Sequence, residues 1–181
     1  MNARLLGCLL FVTVVSASAH RLDEYLQATR IAVATNRIDI SIDLTPGVGV
    51  VSDVLAAIDT NHDAQFSESE RQSYGERLLK NLRVAIDGRP VTLALAEIAF
   101  PAIQEMKQGH GIIRVKASAD IGLLQPGAHT LTLTNSHLPK ISVYLVNALV
   151  PTDRAIRIRK QTRDELQKDY RLLFTVNATS R

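Results

Sequence analysis

Oxygen-bearing side chains alternate along the segment from Asp59 to Glu70. Asp59, Asn61 and Asp63 stand two residues apart, so a tightly wound loop would bring their oxygens towards one centre. A hard cation such as Ca²⁺ takes about six to eight oxygen ligands at about 2.3–2.6 Å. The residue types and their spacing therefore predict a binding loop for a hard divalent cation.

This segment resembles the calcium loop of the EF-hand family, which has the pattern D-x-[DN]-x-[DN]-G-x₅-E. The resemblance implies that the first, third and fifth loop positions bind through side-chain oxygens. It also implies that Gln65 binds through its carbonyl, Ser67 through a water, and Glu70 with both carboxylate oxygens. The implied calcium ligands are Asp59, Asn61, Asp63, Gln65, Ser67 and Glu70.

The segment departs from the family pattern at Ala64, where the family has Gly for a sharp turn. A Cβ at this position costs about 1 kcal/mol if φ is positive. We therefore expect calcium binding weaker than in sensor proteins, towards the ~10⁻⁴–10⁻³ M of extracellular modules. Two alternatives stay open: a degenerate loop, in which Ser67 to Glu70 is only a helix capping box, or a loop that binds another cation.

Apolar residues at helical spacing flank the loop on both sides. They are Val51, Val54, Leu55 and Ile58 before it, and Tyr74, Leu78 and Leu82 after it. The spacing predicts a helical hairpin, an EF-hand-like insertion over residues 46–82. Because the sequence contains no second loop of this type, we expect a structural calcium ion and not the paired, opening hands of a sensor.

The rest of the chain is predicted to form short β-strands. Residues 37–44 alternate cleanly between apolar and polar side chains, and Asp87-Gly88 suits a hairpin turn between runs 84–86 and 91–95. Further predicted strands cover residues 25–34, 112–121, 129–134, 141–146, 155–160 and 171–176. The predicted fold class is α+β, a mainly antiparallel Ig-like β-sandwich with an inserted EF-hand helix-loop-helix.

The first residues predict export. Arg4 precedes the apolar run Leu5 to Val15, and Ala17-Ser18-Ala19 has the small residues that a signal peptidase requires. We expect residues 1–19 to be a signal peptide and residues 20–181 to be one exported domain, periplasmic or extracellular, that does not span a membrane. Cys8, the only cysteine, falls in the signal, so disulfides and Cys-based zinc sites are excluded from the mature chain.

Charge is unevenly distributed along a chain whose formal total is +3. Residues 53–77 hold six acids and two bases, a local net of −4, and they include the predicted loop. Clustered carboxylates favour a bound cation, which relieves their repulsion. Export, together with basic residues that lack interleaved aromatics, weighs against nucleic acid as a partner.

A second resemblance concerns the stretch from His20 to Gln27 and residues 44–48. These resemble exported domains ahead of permeases of the nickel-transporter and hydrogenase-accessory type. The resemblance implies an accessory role, with a membrane permease or another envelope protein as the partner. The alternative function is thus a periplasmic copper or nickel carrier, in which an N-terminal His20 binds the metal and other histidines add ligands; these are His110, His129 and His137.

The sequence carries no recognisable catalytic motif. It lacks G-x-S-x-G, H-E-x-x-H, a phosphate loop and a Cys/His pair. We therefore expect a calcium-binding interaction or accessory module and not an enzyme. A hydrolytic enzyme with an unrecognised site is the second alternative.

Overall fold

The computed structural model describes residues 23–178, which form ten strands and three helices. The strands are β1 (Tyr25–Val33), β2 (Arg37–Pro46), β3 (Leu82–Ile86), β4 (Arg89–Val91), β5 (Ala94–Ala99), β6 (Ile113–Asp120), β7 (Gly127–Asn135), β8 (Ser142–Ala148), β9 (Ile156–Arg163) and β10 (Asp169–Val176). The helices are α1 (Val51–Ile58), α2 (Glu68–Lys80) and α3 (Ile103–Lys107). The predicted signal peptide and His20 lie outside the described residues.

The strands divide into two five-stranded sheets. The first sheet has the order β5-β6-β2-β1-β8, and the second has the order β4-β3-β7-β10-β9. The pairing of β1 with β8, which sets Tyr25 beside Ser142, is parallel, and the other strand pairs between residues 23 and 178 are antiparallel. The prediction of a mainly antiparallel, β-sandwich-like fold is confirmed at this level.

Alternation along the strands creates the core. In β2 the apolar side chains are all buried, as the sequence predicts; they are Ile38, Ile40, Ile42 and Leu44. Their polar neighbours point to the other face, where Asp43 pairs with Arg30 of β1 at 3.0 Å. The buried faces of both sheets, together with α1 and α2, contribute to one hydrophobic cluster.

The structure differs from the sequence prediction between residues 82 and 107. Leu82 begins β3 and is not part of α2, and α3 was not predicted. The predicted strand over residues 91–95 is divided, because β4 ends at Val91 in one sheet and β5 begins at Ala94 in the other. A continuous β-rich run gives no local sign that the chain crosses between sheets there, since the period of two residues is the same in both.

Candidate metal-binding loop

Two helices hold the ends of the loop that the sequence predicts to bind a cation. Val51, Val54 and Ile58 bury the apolar face of α1, and Tyr74 and Leu78 bury that of α2. Arg77 Nη2 of α2 donates a hydrogen bond to the Ala57 carbonyl of α1 at 2.6 Å, which connects the two helices. The loop over residues 59–67 is therefore anchored at both ends, while most of its residues are exposed.

Close packing against the sandwich fixes the position of α2. Gly75 faces β5, and a Cβ at this position would lie 2.7 Å from Leu95 Cδ2. Such a distance is inside ordinary van der Waals contact, so a larger residue at position 75 would require the ends of the Leu95 and Ile98 side chains to shift. The exit from the loop is thus fixed relative to the first sheet.

The first half of the loop winds around its own side chains. The Asp63 N–H donates to both Asp59 Oδ1 at 3.2 Å and Asn61 Oδ1 at 3.1 Å. The Gln65 N–H donates to Asp63 Oδ1 at 2.8 Å. The oxygens at the first and third loop positions therefore accept from one N–H group, and the carboxylate at the fifth position accepts from the next donor along the loop.

Two residues of the loop have left-handed backbone conformations. His62 has φ +61° and Ala64 has φ +59°. The Ala64 N–H donates to Asp59 Oδ2 at 2.9 Å, which closes the turn onto the first loop position. The expectation of a positive φ where the EF-hand pattern has Gly is thus met by alanine, at a cost of about 1 kcal/mol.

Glu70 is a helix cap in this structure. Its Oε2 accepts from the Ser67 N–H at 3.0 Å and from Ser67 Oγ at 2.7 Å, while the Glu70 N–H donates back to Ser67 Oγ. Its Oε1 accepts from the Thr60 N–H at 2.7 Å, which connects the two ends of the loop. The capping box that the sequence offers as an alternative is therefore formed.

These donors determine the acidity of Glu70. Hydrogen bonds from the Ser67 side chain and N–H, and from the N–H groups of Thr60 and Asn61, lower the pKa of Glu70 to about 2. The carboxylate is ionised at neutral pH, and both of its oxygens are already occupied by donors. A cation at this carboxylate would therefore exchange metal–oxygen bonds for these hydrogen bonds.

The other predicted ligands have local roles. Gln65 is exposed and donates through its N–H to Asp63, and Ser67 is the N-cap of α2. Across residues 23–178, no three His, Cys, Asp or Glu side chains are grouped closely enough to hold a metal ion by themselves. A cation in this loop would therefore depend on the oxygens of Asn61, Gln65 and Ser67 as well as on carboxylates.

The histidines of the copper or nickel alternative occupy separate environments. His129 Nδ1 lies 2.7 Å from Asp87 Oδ2, and its Nε2 lies 2.8 Å from the Gln125 carbonyl. Burial lowers the pKa of His129, but the hydrogen bonds to Asp87 and Gln125 outweigh it and raise the pKa overall. His110 is exposed in a turn after α3.

A buried polar cluster beneath α2 was not predicted from the sequence. Tyr74 OH lies 2.6 Å from Tyr25 OH of β1 and 3.1 Å from His137 Nε2, in the turn after β7. Burial, followed by the charge of Arg77, lowers the pKa of His137 to about 4, so this imidazole is neutral at pH 7. The cluster attaches the helix that leaves the loop to β1 of the first sheet and to the turn after β7 of the second sheet.

Amide side chains extend this cluster between the sheets. The fully buried Gln27 of β1 donates to the His137 carbonyl at 2.9 Å, and its Oε1 accepts from Asn135 Nδ2 at 2.9 Å. Asn135 in turn accepts from the His137 N–H at 3.0 Å. These residues are far apart in sequence, and the only local signal is that Gln27 falls on the apolar face of an alternating strand.

Over the described part of the chain, no helix combines the length and the apolar character needed to cross a membrane. A comparison with models of known protein families found no match. A search of curated proteins found no similar sequence.

Proposed function

We propose that the loop from Asp59 to Glu70 binds one Ca²⁺ ion and that this ion stabilises an exported interaction or accessory module. The observation that carries the proposal is the turn at Ala64. A non-glycine residue adopts φ +59° there, and its N–H closes onto Asp59. The chain accepts this backbone cost where an EF-hand loop needs its sharp turn, which supports a loop shaped for a cation and not only a helix cap.

The donor set fits a hard cation. Asp59 and Asn61 provide oxygens that already accept from one N–H group, that of Asp63, whose own carboxylate accepts from the Gln65 N–H. Gln65, Ser67 and Glu70 complete the proposed ligand set. Bound calcium would supply positive charge to a segment whose local net charge is −4. Because Glu70 must give up hydrogen bonds to bind it, we propose a weak site, at the ~10⁻⁴–10⁻³ M expected of extracellular modules.

A structural role for the cation follows from the position of α2. Glu70 and Tyr74 stand one turn apart on this helix, and Tyr74 belongs to the buried cluster that joins the sheets. A cation that fixes the first turn of α2 therefore stabilises the packing of α2 on the core. We propose that the domain is Ig-like, that it acts as a non-enzymatic module after export, and that a membrane permease or another envelope protein is its partner.

Thermal melting with and without calcium tests this proposal. The protein is purified after export from cells that express the full chain, and its N-terminus is sequenced to test cleavage before His20. At about ten times Kd, calcium should add about 1.4 kcal/mol to the free energy of unfolding and raise Tm by about 3–6 °C. Calorimetric titration should give one site per chain.

Matched carboxylate variants identify the site. Asp63→Ala, which removes both side-chain oxygens at an exposed position, should remove the calcium-dependent rise and leave the calcium-free Tm nearly unchanged, whereas Glu70→Gln should remove the rise and also weaken the α2 cap. Glu165→Gln, at an exposed position in the turn between β9 and β10, should behave as wild type. No uptake of calcium at millimolar concentration would overturn the proposal, and a response to Mg²⁺ alone would assign the loop to another cation.

A further inference from the structure

The edge strands β8 and β9 lie side by side at one margin of the two sheets. The Ala148 N–H donates to Gln161 Oε1 at 3.1 Å, and Arg163 Nε donates to the Val146 carbonyl at 2.7 Å. Residues 149–155 connect the two strands. We call β8, this connection and β9 together the β8–β9 edge.

Apolar side chains are exposed along this edge. Val150 is 89% exposed, Leu149 is 43% exposed and Leu145 is 39% exposed. A single exposed aliphatic residue is ordinary on a protein surface, but three within six residues at one margin form a local apolar site. Val150 is the most exposed of them and stands in the connection between the strands.

Arginines surround this apolar tip. Val150 shares one shallow surface depression with Arg154, Arg157 and Arg159, which are exposed. No carboxylate lies within 4.0 Å of these three guanidinium groups in the described part of the chain. The nearby acid is Asp153, whose two oxygens accept from the N–H groups of Thr35 and Ala155. Asp153 lines the same depression, so three guanidinium groups and one carboxylate leave the depression with a net positive charge.

The geometry of β9 disfavours pairing with a strand of another protein. Leu173 stands opposite Lys160 and Phe174 opposite Ile158, so Arg159 is the extra residue of a β-bulge. Bulges and basic side chains on an edge strand obstruct the addition of a further strand. A protruding apolar tip among basic residues, in contrast, fits a membrane surface, where apolar groups enter the interface and basic groups meet phosphates.

We propose that the β8–β9 edge docks on an anionic phospholipid surface, with Val150 in the interface and Arg154, Arg157 and Arg159 against lipid phosphates. Arginine suits this role because its planar guanidinium binds phosphate oxygens in pairs. The docking is peripheral, and it requires neither the calcium site nor the proposed accessory function.

Flotation with defined vesicles tests the proposal. The exported, purified protein is mixed with vesicles of equal parts phosphatidylglycerol and phosphatidylcholine, or of phosphatidylcholine alone, with EDTA present so that calcium cannot bridge protein and lipid. The protein should float with the anionic vesicles and not with the neutral ones. Raising NaCl from about 0.05 to about 0.5 M should release it, because salt screens the phosphate contacts.

Two variants and one control locate the surface. Replacing the three arginines by glutamine (Arg154→Gln, Arg157→Gln, Arg159→Gln) should weaken partitioning roughly a hundredfold, since each basic residue near an anionic bilayer contributes about fivefold. Val150→Ser should weaken it roughly tenfold. A control with three exposed basic residues replaced elsewhere (Arg83→Gln, Lys107→Gln, Arg114→Gln) has the same net charge and should bind as wild type.

Three results would contradict docking at the β8–β9 edge. Equal binding to neutral vesicles, no binding to anionic vesicles, or equal loss in the control and the edge variant would each overturn the proposal. All substituted side chains are exposed, so the melting temperatures of the variants should match that of wild type. Circular dichroism checks this before flotation.

Discussion

Two polar regions meet on α2, and they differ in how their contacts are distributed along the chain. In the loop, the side chains of Asp59, Asp63 and Glu70 bind N–H groups that are two to ten residues away. In the buried cluster, the Tyr25–Tyr74 contact spans 49 residues and the Gln27–His137 contact spans 110. The loop is mostly exposed, whereas the cluster is almost completely buried.

This difference predicts where each region is sensitive. An exposed loop can exchange a lost hydrogen bond for one with water, so single substitutions there are tolerated. A buried cluster has no such replacement, and a polar group that loses its partner retains its full desolvation cost. We therefore expect large stability effects in the cluster and small effects in the loop, where the main consequence is for cation binding.

The largest effect is expected for Gln27→Leu. This substitution leaves Asn135 Nδ2 without its acceptor and removes one of the hydrogen bonds of Ser142 Oγ, which keeps its bond to the His137 carbonyl. A buried unsatisfied group costs about 1–3 kcal/mol and a lost hydrogen bond about 1 kcal/mol, so the free energy of unfolding should fall by about 3 kcal/mol. Urea denaturation measures the change. Gln104→Leu, at an exposed position of α3, is the matched control and should change it by less than about 0.5 kcal/mol.

The second-largest effect is the loss of stability at acid pH that His137 causes. Its pKa falls from 6.5 to about 4 on folding, because burial disfavours the imidazolium. The unfolded chain therefore binds more protons between these values, and the stability present above pH 6.5 is lost as pH falls through about 4. The loss amounts to about 2–3 kcal/mol, and His137→Gln should flatten this part of the stability curve.

His129 provides the opposite case within the same chain. Its pKa is raised on folding, so its contribution is fully present below the ordinary value of 6.5 and is lost as pH rises through the folded pKa. His129→Gln should therefore flatten the curve above pH 6.5. NMR titration of both imidazoles checks the two directions. A normal pKa for His137 would contradict the burial argument.

The smallest effect is expected for Ala64→Gly in the loop. Glycine adopts φ +59° without the steric cost of a Cβ, but it also loses more conformational freedom on folding. The net result should be a gain of about 0.5–1 kcal/mol in the free energy of unfolding.

Gly88→Ala, in the β3–β4 turn, is the reverse substitution at a residue with φ +78°, where no other atom lies within 4 Å of the added Cβ. It should lower the free energy of unfolding by a similar amount. Thermal melting of both variants measures the pair. A change of the same sign in the two variants would contradict the backbone argument.

The same difference in contact distance explains what could be predicted from the sequence. A loop between two helices could be predicted from local spacing, and within it the oxygens of Asp59 and Asn61 accept from one N–H group, that of Asp63. The strands with clear alternation, such as β2, are confirmed for the same local reason. Glu70 was assigned two roles by sequence, ligand and cap, and the pattern alone does not decide between them, since both use the same carboxylate.

Features that depend on distant partners could not be predicted. The position of Gln27 on an apolar strand face is local, but its acceptor and donor lie more than 100 residues away. The chain crosses from the edge of the second sheet at β4 to the edge of the first sheet at β5. The spacing of apolar and polar side chains does not indicate which sheet a strand joins, so this crossing could not be predicted. The basic β8–β9 edge likewise exists only because two edge strands from different sheets meet there.

The parallel pairing of β1 with β8 has a consequence for the order of assembly. β1 is the first described strand, and it lies between β2 and β8. More than 100 residues separate β1 from β8, so a chain that emerges from its N-terminus, from the ribosome or from an export channel, leaves one side of β1 without its partner until β8 has emerged. Until then β1 has an open β-edge, and the first sheet is completed only after most of the domain has emerged.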